Sequence, residues 1–348
     1  MNNRYIKIAW GGAFQGGLFE HVISLENLFL AWKEFKRGKT SKIEVQEFAF
    51  NLEDTIFKLH IELKQKVWKP DTYVAFYVRD PKLRHIHKAS IRDRVFNQAL
   101  FRVLYQIFDK GFIPDSYSCR NGKGAHRGVK MLQRYIRKMS HNYTQPVLAL
   151  KCDVRKFFDN IDHEILFAII KRKITDPDIL SIIQMILGSF EVKQGAGLPL
   201  GNVTSQLFAN VYLNELDQFV KHTLKAKYYL RYCDDFIILD PDTSVLEKYI
   251  RDVDSFLQEK LHLFLHPHKI VIRKCTQGID FLGYVTLPQQ TVLRTKTKKR
   301  IMKKILFTKA RMNRGLITQE TFDHTLNSYL GMLTHCDGYK IEQKINRM

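Results

Sequence analysis

Apolar residues recur at helical spacing through the first fifth of the chain. One helical face carries Leu25, Leu28, Phe29 and Trp32, and a second run carries Phe48, Leu52, Ile56, Leu59 and Leu63. We therefore predict helices over residues 18–69. The elements predicted next are a strand at 72–78, a turn at Asp80-Pro81, a helix at about 91–110, a Gly-rich loop at 116–128 and a basic amphipathic helix at about 129–139.

The pattern changes near residue 146, where short apolar runs typical of strands begin to alternate irregularly with helical segments. Strands are predicted at 147–153, 227–232, 236–239, 269–274 and 279–286. Helices are predicted at 162–171, 178–187, 203–224 and about 244–260, and again over the last 55 or so residues. Because the strands and helices follow no βαβ period, the predicted class is α+β rather than a doubly wound sheet.

The net charge of the chain indicates which kind of partner it binds. The 348 residues include 56 Lys and Arg against 35 Asp and Glu, a net charge of +21, and 45% of them are hydrophobic. This composition is too apolar for a disordered chain and predicts a folded protein that binds a polyanion, either nucleic acid or an acidic membrane surface.

Location is predicted from what the sequence lacks. No apolar run approaches 18 residues, and the N-terminal MNNRYIKIAWGG has no apolar core of a signal peptide. The five cysteines form no C-x-x-C pair, so we expect free thiols, a reducing compartment and therefore the cytoplasm.

Three aspartates are the strongest candidates for chemistry. Asp234 and Asp235 separate two apolar strands, and Asp153 ends another strand, so the three carboxylates could meet at one edge of a sheet. Two carboxylates about 4 Å apart repel by roughly 4 kcal/mol at an effective dielectric constant of 20. Either a shared proton or divalent cations must offset this repulsion, and hard oxygen ligands favour Mg²⁺.

Three segments together resemble a known family. In order and spacing, LKCDVRKFFDNIDHEIL (150–166), GLPLGNVTSQLFANVYLNELD (197–217) and KYYLRYCDDFIILD (227–240) resemble motifs A, B and C of reverse transcriptases. Segments 79–100, 113–132, 262–272 and 278–284 are similar to the fingers motif, the SY-x-x-R-x-G-x-x-x-H segment, motif D and the primer grip of bacterial members. The resemblance implies a right-hand polymerase fold, with N-terminal helices and fingers at 1–145, palm at 146–288 and a basic helical thumb at 289–348.

The resemblance also implies roles for individual residues. The expected activity is RNA-templated DNA synthesis from dNTPs with two Mg²⁺ ions, or Mn²⁺ as a substitute. The catalytic residues would be Asp153, Asp234 and Asp235, and the metal ligands would be the same three with Val154. The expected nucleotide-binding residues are Lys82 and Arg84 on the triphosphate, Phe158 as steric gate against a ribose 2′-hydroxyl, Leu200 and Gly201 of motif B, and Lys269 as proton donor to pyrophosphate.

The basic C-terminal segment has an amphipathic pattern. Ile301, Ile305 and Leu306 are predicted to face the core. The phosphates of the template–primer duplex are expected to contact Lys298, Lys299, Arg300, Lys303 and Lys304.

Motif B favours one branch of the family. Pro199-Leu200-Gly201 followed by Ser205-Gln206 is similar to the enzymes of diversity-generating retroelements, as is SLENLFLAWKEFKRGK at 24–39. That branch implies copying errors at template adenines and a basic accessory variability protein as partner. The alternatives are an antiphage-defence reverse transcriptase that works with a structured noncoding RNA, and a non-catalytic RNA-binding scaffold. A group II intron maturase is disfavoured because no further domain is recognised after the thumb segment.

Overall fold

A computed structural model of the protein describes residues 17–79 and 82–347. The predicted turn at Asp80-Pro81 and the first 16 residues lie outside the described part. The N-terminal helical prediction is confirmed, but four helices share the segment: α1 (Leu18–Ile23), α2 (Leu25–Phe35), α3 (Ile43–Phe50) and α4 (Leu52–Lys64). The Ser24 side chain accepts a hydrogen bond from the Asn27 N–H, which starts α2 and explains the first break.

A hairpin follows these helices. Strand β1 (Val74–Arg79) pairs antiparallel with β2 (Leu83–Lys88), which the sequence pattern did not predict because Leu83–Lys88 has four basic side chains and is exposed or half-buried throughout. Helix α5 (Ile91–Phe108) is confirmed and its Ser90 cap accepts from the Asp93 N–H. Helix α6 (Ala125–Met139) begins four residues before its predicted start.

A four-stranded antiparallel sheet organises the middle of the chain. Its strands are β3 (Leu148–Asp153), β4 (Tyr228–Tyr232), β5 (Asp235–Asp240) and β6 (Val271–Lys274), in the order β4-β5-β3-β6. Alternate side chains point to opposite faces: Leu150 and Ile238 join a core with the N-terminal helices, whereas Ala149 and Ile237 join a second core. Apolar packing on both faces holds the ends of β3 and β5 in place.

Four helices flank this sheet. They are α7 (His163–Lys171), α8 (Pro177–Gly188), α9 (Val203–Gln218) and α10 (Thr243–Leu261). The predicted helix at 203–224 is thus present, but its last turn, Phe219–Thr223, is π-helical.

The C-terminal part departs from prediction in three places. The predicted strand at 279–286 is two strands, β7 (Ile279–Phe281) and β8 (Tyr284–Thr286), because Leu282 and Gly283 both adopt positive φ. An unpredicted strand, β9 (Thr291–Leu293), pairs with β8, so this sheet crosses the expected boundary at 288. Helices α11 (Thr295–Asn313), α12 (Gln319–Leu333) and α13 (Tyr339–Asn346) confirm the helical C-terminus, and Ile301 and Ile305 are buried, but Leu306 is 51% exposed.

The architecture is therefore α+β. Among the described residues, none of the helices combines the length and the apolar character needed to cross a membrane. The division into three domains stays a prediction.

Candidate active site

The end of the central sheet brings the three predicted aspartates together. The antiparallel register pairs Asp153 at the end of β3 directly with Asp235 at the start of β5. Asp234 lies in the two-residue turn between β4 and β5, and its carbonyl accepts a hydrogen bond from the N–H of Val154 at 3.1 Å. Cys233 takes a left-handed conformation, with φ of 56°, to make this turn. Pairing between β3 and β5 therefore sets the position of all three carboxylates.

Burial and the repulsion between neighbouring carboxylates disfavour the charged forms of Asp234 and Asp235. Desolvation, followed by the charge of Asp153, raises the pKa of Asp234. Desolvation raises the pKa of Asp235 to about 6, and Lys151 opposes this increase. A site that raises the pKa of adjacent carboxyls in this way gains most from positive charge placed beside them.

Two lysines supply part of that positive charge. The Lys269 ammonium lies 2.6 Å from Asp153 Oδ1, and the Lys151 ammonium lies 3.3 Å from Asp235 Oδ2. Lys151 also donates to the carbonyl of Asp280 on β7, at 2.9 Å. Lys151 was not predicted from the sequence, although its position two residues before Asp153 on the same strand could have indicated it, since such residues share a face.

The donor set suits a hard cation. One oxygen of Asp235, Oδ1, is buried and has no hydrogen-bond partner. Carboxylate oxygens are the ligands that Mg²⁺ prefers. Within the described residues, however, no group of three or more His, Cys, Asp or Glu side chains is already arranged around a metal position. The lysines on Asp153 and Asp235 contact oxygens that a cation would need.

A cavity of about 410 Å³ opens beside Asp153 and Asp235, whereas Asp234 is not among the residues that line it. Its wall combines acids with a larger number of bases: Lys82, Lys151, Asp153, Asp235, His268, Lys269, Arg273, Asp280 and Arg294. Lys82, predicted to contact a triphosphate, is therefore next to the candidate site. Arg84 is exposed on β2 and is not among the residues that line the cavity. The wall suits a polyanionic ligand.

The loop of motif B that carries Leu200 and Gly201 contacts two other segments, the one that carries Phe158 and strand β2. Phe157 is buried in the core, whereas the adjacent Phe158 is only half-buried, and its carbonyl accepts from the Leu198 N–H at 2.8 Å. The Leu200 carbonyl accepts from the N–H of His87 on β2, at 3.2 Å. Gly201 has φ of 119°, and a Cβ there would lie 3.3 Å from the side chain of Ile86. This close approach of β2 accounts for a glycine at 201.

A buried ion pair supports the catalytic turn. The Arg231 and Asp217 side chains are fully buried and joined by two hydrogen bonds of 2.7 and 2.6 Å. Arg231 also donates to the carbonyl of Cys233 at 3.1 Å, and the Tyr229 hydroxyl donates to Asp217 at 2.7 Å. This network was not predicted from the sequence, although an arginine inside an otherwise apolar strand could have indicated it.

The five predicted duplex-binding cations all lie on the exposed side of α11. Thr297, Ile301 and Ile305 face the core on the other side of the helix. The exposed set is Lys298, Lys299, Arg300, Lys303 and Lys304. A continuous basic surface of this kind suits phosphate groups rather than base edges.

An antiparallel sheet with apolar packing on both faces and acids at the tip of a hairpin is the palm arrangement of a right-hand template-dependent polymerase. A sequence model of the family described as Reverse transcriptase (RNA-dependent DNA polymerase) matches residues 69–286. The chain belongs to this family, which confirms the resemblance at that level.

Individual relatives are distant. Group II intron-encoded protein LtrA of Lactococcus lactis subsp. cremoris is 23% identical over 341 residues, covering 77% of this chain and 56% of LtrA. Protein YkfC of Escherichia coli is 23% identical over 241 residues, covering 58% of this chain and 63% of YkfC. The chain thus spans less than two thirds of either relative. A solved telomerase from Candida albicans, in complex with a fragment of telomeric RNA, is similar with a TM-score of 0.49 and 13% identity, covering 78% of this chain and 57% of that one.

Proposed function

We propose that this chain is an RNA-directed DNA polymerase that extends a primer along an RNA template with dNTPs. The observation that carries the proposal is the meeting of Asp153, Asp234 and Asp235 at the end of the sheet, beside a basic cavity. The family match over residues 69–286 supports the choice of template and product. The scaffold alternative has no need for three carboxylates at a strand end, where burial raises the pKa of Asp234 and Asp235 and so disfavours their charged forms.

We assign the metal to the same residues. Asp153, Asp234 and Asp235, with the backbone of Val154, would hold Mg²⁺ or Mn²⁺, which when bound supplies charge stabilisation for the attacking hydroxyl and the leaving pyrophosphate. Lys269 and Lys151 hold part of the acidic charge in the described structure. In this proposal both ammonium groups move away from the oxygens that take the cation.

The other predicted site residues would bind and orient the incoming dNTP. Lys82 reaches the cavity from the β1–β2 hairpin and would contact the triphosphate, with Arg84 beside it on β2. The half-buried ring of Phe158 would bound the sugar and exclude a 2′-hydroxyl. Lys269, whose ammonium is already at the site, would give a proton to the pyrophosphate.

The test is primer extension. Purified protein, an RNA template with an annealed DNA primer, four dNTPs and Mg²⁺ should yield template-length cDNA, and omission of one dNTP should stop synthesis at the matching template base. Template-independent addition would contradict RNA-directed synthesis. Absence of product both on this substrate and with structured RNA added would favour the scaffold.

We assign the chain to the diversity-generating branch on motif B. An apolar Leu200 stands where many family members have a glutamine, and it lies on the loop tied to β2. An amide there can hydrogen-bond the nascent base pair, and leucine cannot. The partners of this proposal are the template RNA, the primer or cDNA, and a basic accessory variability protein. Accurate cDNA would favour the antiphage-defence alternative, whose partner is a structured noncoding RNA.

Leu200→Gln should therefore raise fidelity at template adenines. We expect misincorporation there to fall by about 5- to 30-fold, because one oriented hydrogen bond contributes about 1–2 kcal/mol of discrimination. Sequencing of cDNA from an adenine-containing template measures this, with Leu198→Gln, two residues away and buried, as the control for a disturbed loop. An unchanged error spectrum would refute the assigned role of Leu200.

Removing charge from α11 should weaken the salt dependence of duplex binding. In the triple variant Lys299→Gln, Lys303→Gln, Lys304→Gln, the slope of log K against log salt should become less steep by about 2–3, close to 0.9 for each lost phosphate contact. Fluorescence anisotropy with an RNA–DNA hybrid gives the slope. The matched control replaces three exposed lysines of the N-terminal part, Lys58, Lys64 and Lys69. Equal slopes for both triple variants would exclude α11 as the duplex surface.

A further inference from the structure

The β1–β2 hairpin carries a continuous row of aromatic and imidazole rings, which we call the ring ladder. It consists of Tyr73, Phe190, His87, His85 and Tyr77. Successive ring centroids are 5.8, 4.5, 4.3 and 4.5 Å apart. The first three contacts are edge-to-face, and the last, Tyr77 on His85, is a parallel stack with an interplanar angle of 10°.

The ladder is fixed at its base. The Tyr73 hydroxyl lies 3.2 Å from the hydroxyl of Ser189, and Asn202 donates to it at 3.5 Å. Burial raises the pKa of Tyr73, which keeps its hydroxyl protonated. The base rings are therefore held between the ends of α8 and α9.

The tip of the ladder is open. Tyr77 is 65% exposed, and His85 is also exposed. A parallel ring pair in this position contributes little to either hydrophobic core, since β1 is exposed along its whole length. Exposed aromatic rings that are already stacked and held from below form a surface to which a further flat ring can be added with little loss of side-chain entropy.

The register separates the ladder from the residues assigned to the triphosphate. Tyr77, His85 and His87 share one face of the hairpin, whereas Arg84 and Ile86 share the other. Ile86 approaches Gly201, so that other face is turned toward the nucleotide-binding loop. The ladder is connected to the same loop by the hydrogen bond from the His87 N–H to the Leu200 carbonyl and, at its base, by the hydrogen bond from Asn202 to the Tyr73 hydroxyl.

The positive charge of the β1–β2 hairpin indicates which kind of ligand the ring ladder would bind. The described residues of the hairpin, 74–79 and 82–88, include four Lys or Arg side chains and no acidic one. Arg79 lies on the face of the ladder, whereas Arg84 and Lys88 lie on the other face of this narrow two-stranded hairpin. Stacking rings beside a basic strand are the two components of single-stranded nucleic acid sites, where bases stack on aromatic side chains and the backbone follows positive charge. A duplex does not fit this surface, because its bases are already stacked on one another.

We propose that Tyr77 and His85 form a stacking site for an unpaired base of the template RNA, ahead of the position being copied. The site rests on the proposed function for the identity of the strand. Tyr77 and its partner His85 lie two residues along the strand from His87, about 7 Å at 3.3 Å per residue, so the stacked base is one or two nucleotides beyond the loop at Leu200. The stack would hold the single strand in line before each base enters the site.

Binding without dNTPs tests the site. The substrates are an RNA template–DNA primer with an unpaired 5′ template overhang of six nucleotides and the same duplex with a blunt end. Tyr77→Ala should weaken binding of the overhang substrate by about 5- to 100-fold and leave blunt-end binding unchanged. Tyr77→Phe, which keeps the ring, should bind like the parent protein. Val74→Ala, a 63% exposed position on the opposite face of β1, is the matched control.

A double-mutant cycle separates stacking from backbone contact. Replacing the overhang bases by abasic sites should weaken binding to the parent protein as Tyr77→Ala does, with little further loss when the two changes are combined. Additive losses, or equal losses on blunt and overhang substrates, would overturn the proposal. Because no nucleotide is incorporated, overhang-dependent stacking by a protein inactive in primer extension would sustain this site while the proposed polymerase activity fails.

Discussion

Asp234→Asn should abolish primer extension while leaving the protein folded. We expect a loss of about 10³-fold or more, since charge stabilisation by metal ions contributes several kcal/mol and each 1.36 kcal/mol is a factor of ten in rate. Single-turnover extension with Mg²⁺ measures the loss. Asparagine keeps the size and one oxygen of the side chain, so the turn at Cys233 and Asp234 is retained.

Stability distinguishes this result from misfolding. Asp234 is half-buried beside Asp153, and both desolvation and the charge of that neighbour raise its pKa and so oppose its charged form. Removing the charge should therefore leave the metal-free melting temperature unchanged or raise it. The matched control is Asp242→Asn, an exposed acid after β5 whose side chain caps α10 by accepting from the Ser244 N–H. Asparagine is an equally good cap, so this variant should keep the rate and stability of the parent protein. Near-normal extension by Asp234→Asn would contradict the assignment of this carboxylate as a metal ligand.

Asp217→Ala should destabilise the protein by about 3–5 kcal/mol. Removing one member of a buried pair leaves the other charge without compensation, and Arg231 has no exposed surface through which water could solvate it. Urea denaturation followed by circular dichroism gives the free energy of unfolding. The effect should extend to the active site, because Arg231 holds the Cys233 carbonyl in the catalytic turn.

Two further variants test whether the uncompensated charge of Arg231 causes the destabilisation expected from Asp217→Ala. Glu215→Ala removes an acid on the same helix whose partner in an ion pair, Arg172, is 62% exposed, and it should destabilise the protein by no more than about 1 kcal/mol. The double variant Asp217→Ala, Arg231→Met removes both buried charges and should be more stable than Asp217→Ala alone. If Asp217→Ala and Glu215→Ala cost the same, the buried pair is not the support of the turn that its contacts indicate.

The hydrophobic pattern of the sequence was sufficient to predict an element where its buried positions recur at a regular spacing. Residues at 147–153 alternate between two apolar faces, and both faces are covered, so the strand was predicted almost to its ends. Strand β2 shows the limit, because its basic side chains carry no apolar alternation and it exists only through pairing with β1. Likewise, the break at Leu282-Gly283 depends on backbone conformations that composition does not reveal.

The sequence by itself determined the class of the protein: the α+β alternation, the basic charge and three acid-bearing motifs in order lead to a reverse transcriptase. Only the tertiary structure decided which groups act on those acids. Lys151, Lys269 and the Asp217–Arg231 pair reach their partners across separations of 14 to 116 residues or across paired strands, and electrostatic effects depend on distance and burial rather than on sequence order. The ring ladder is a further example, because Phe190 joins it from a segment more than 100 residues away along the chain.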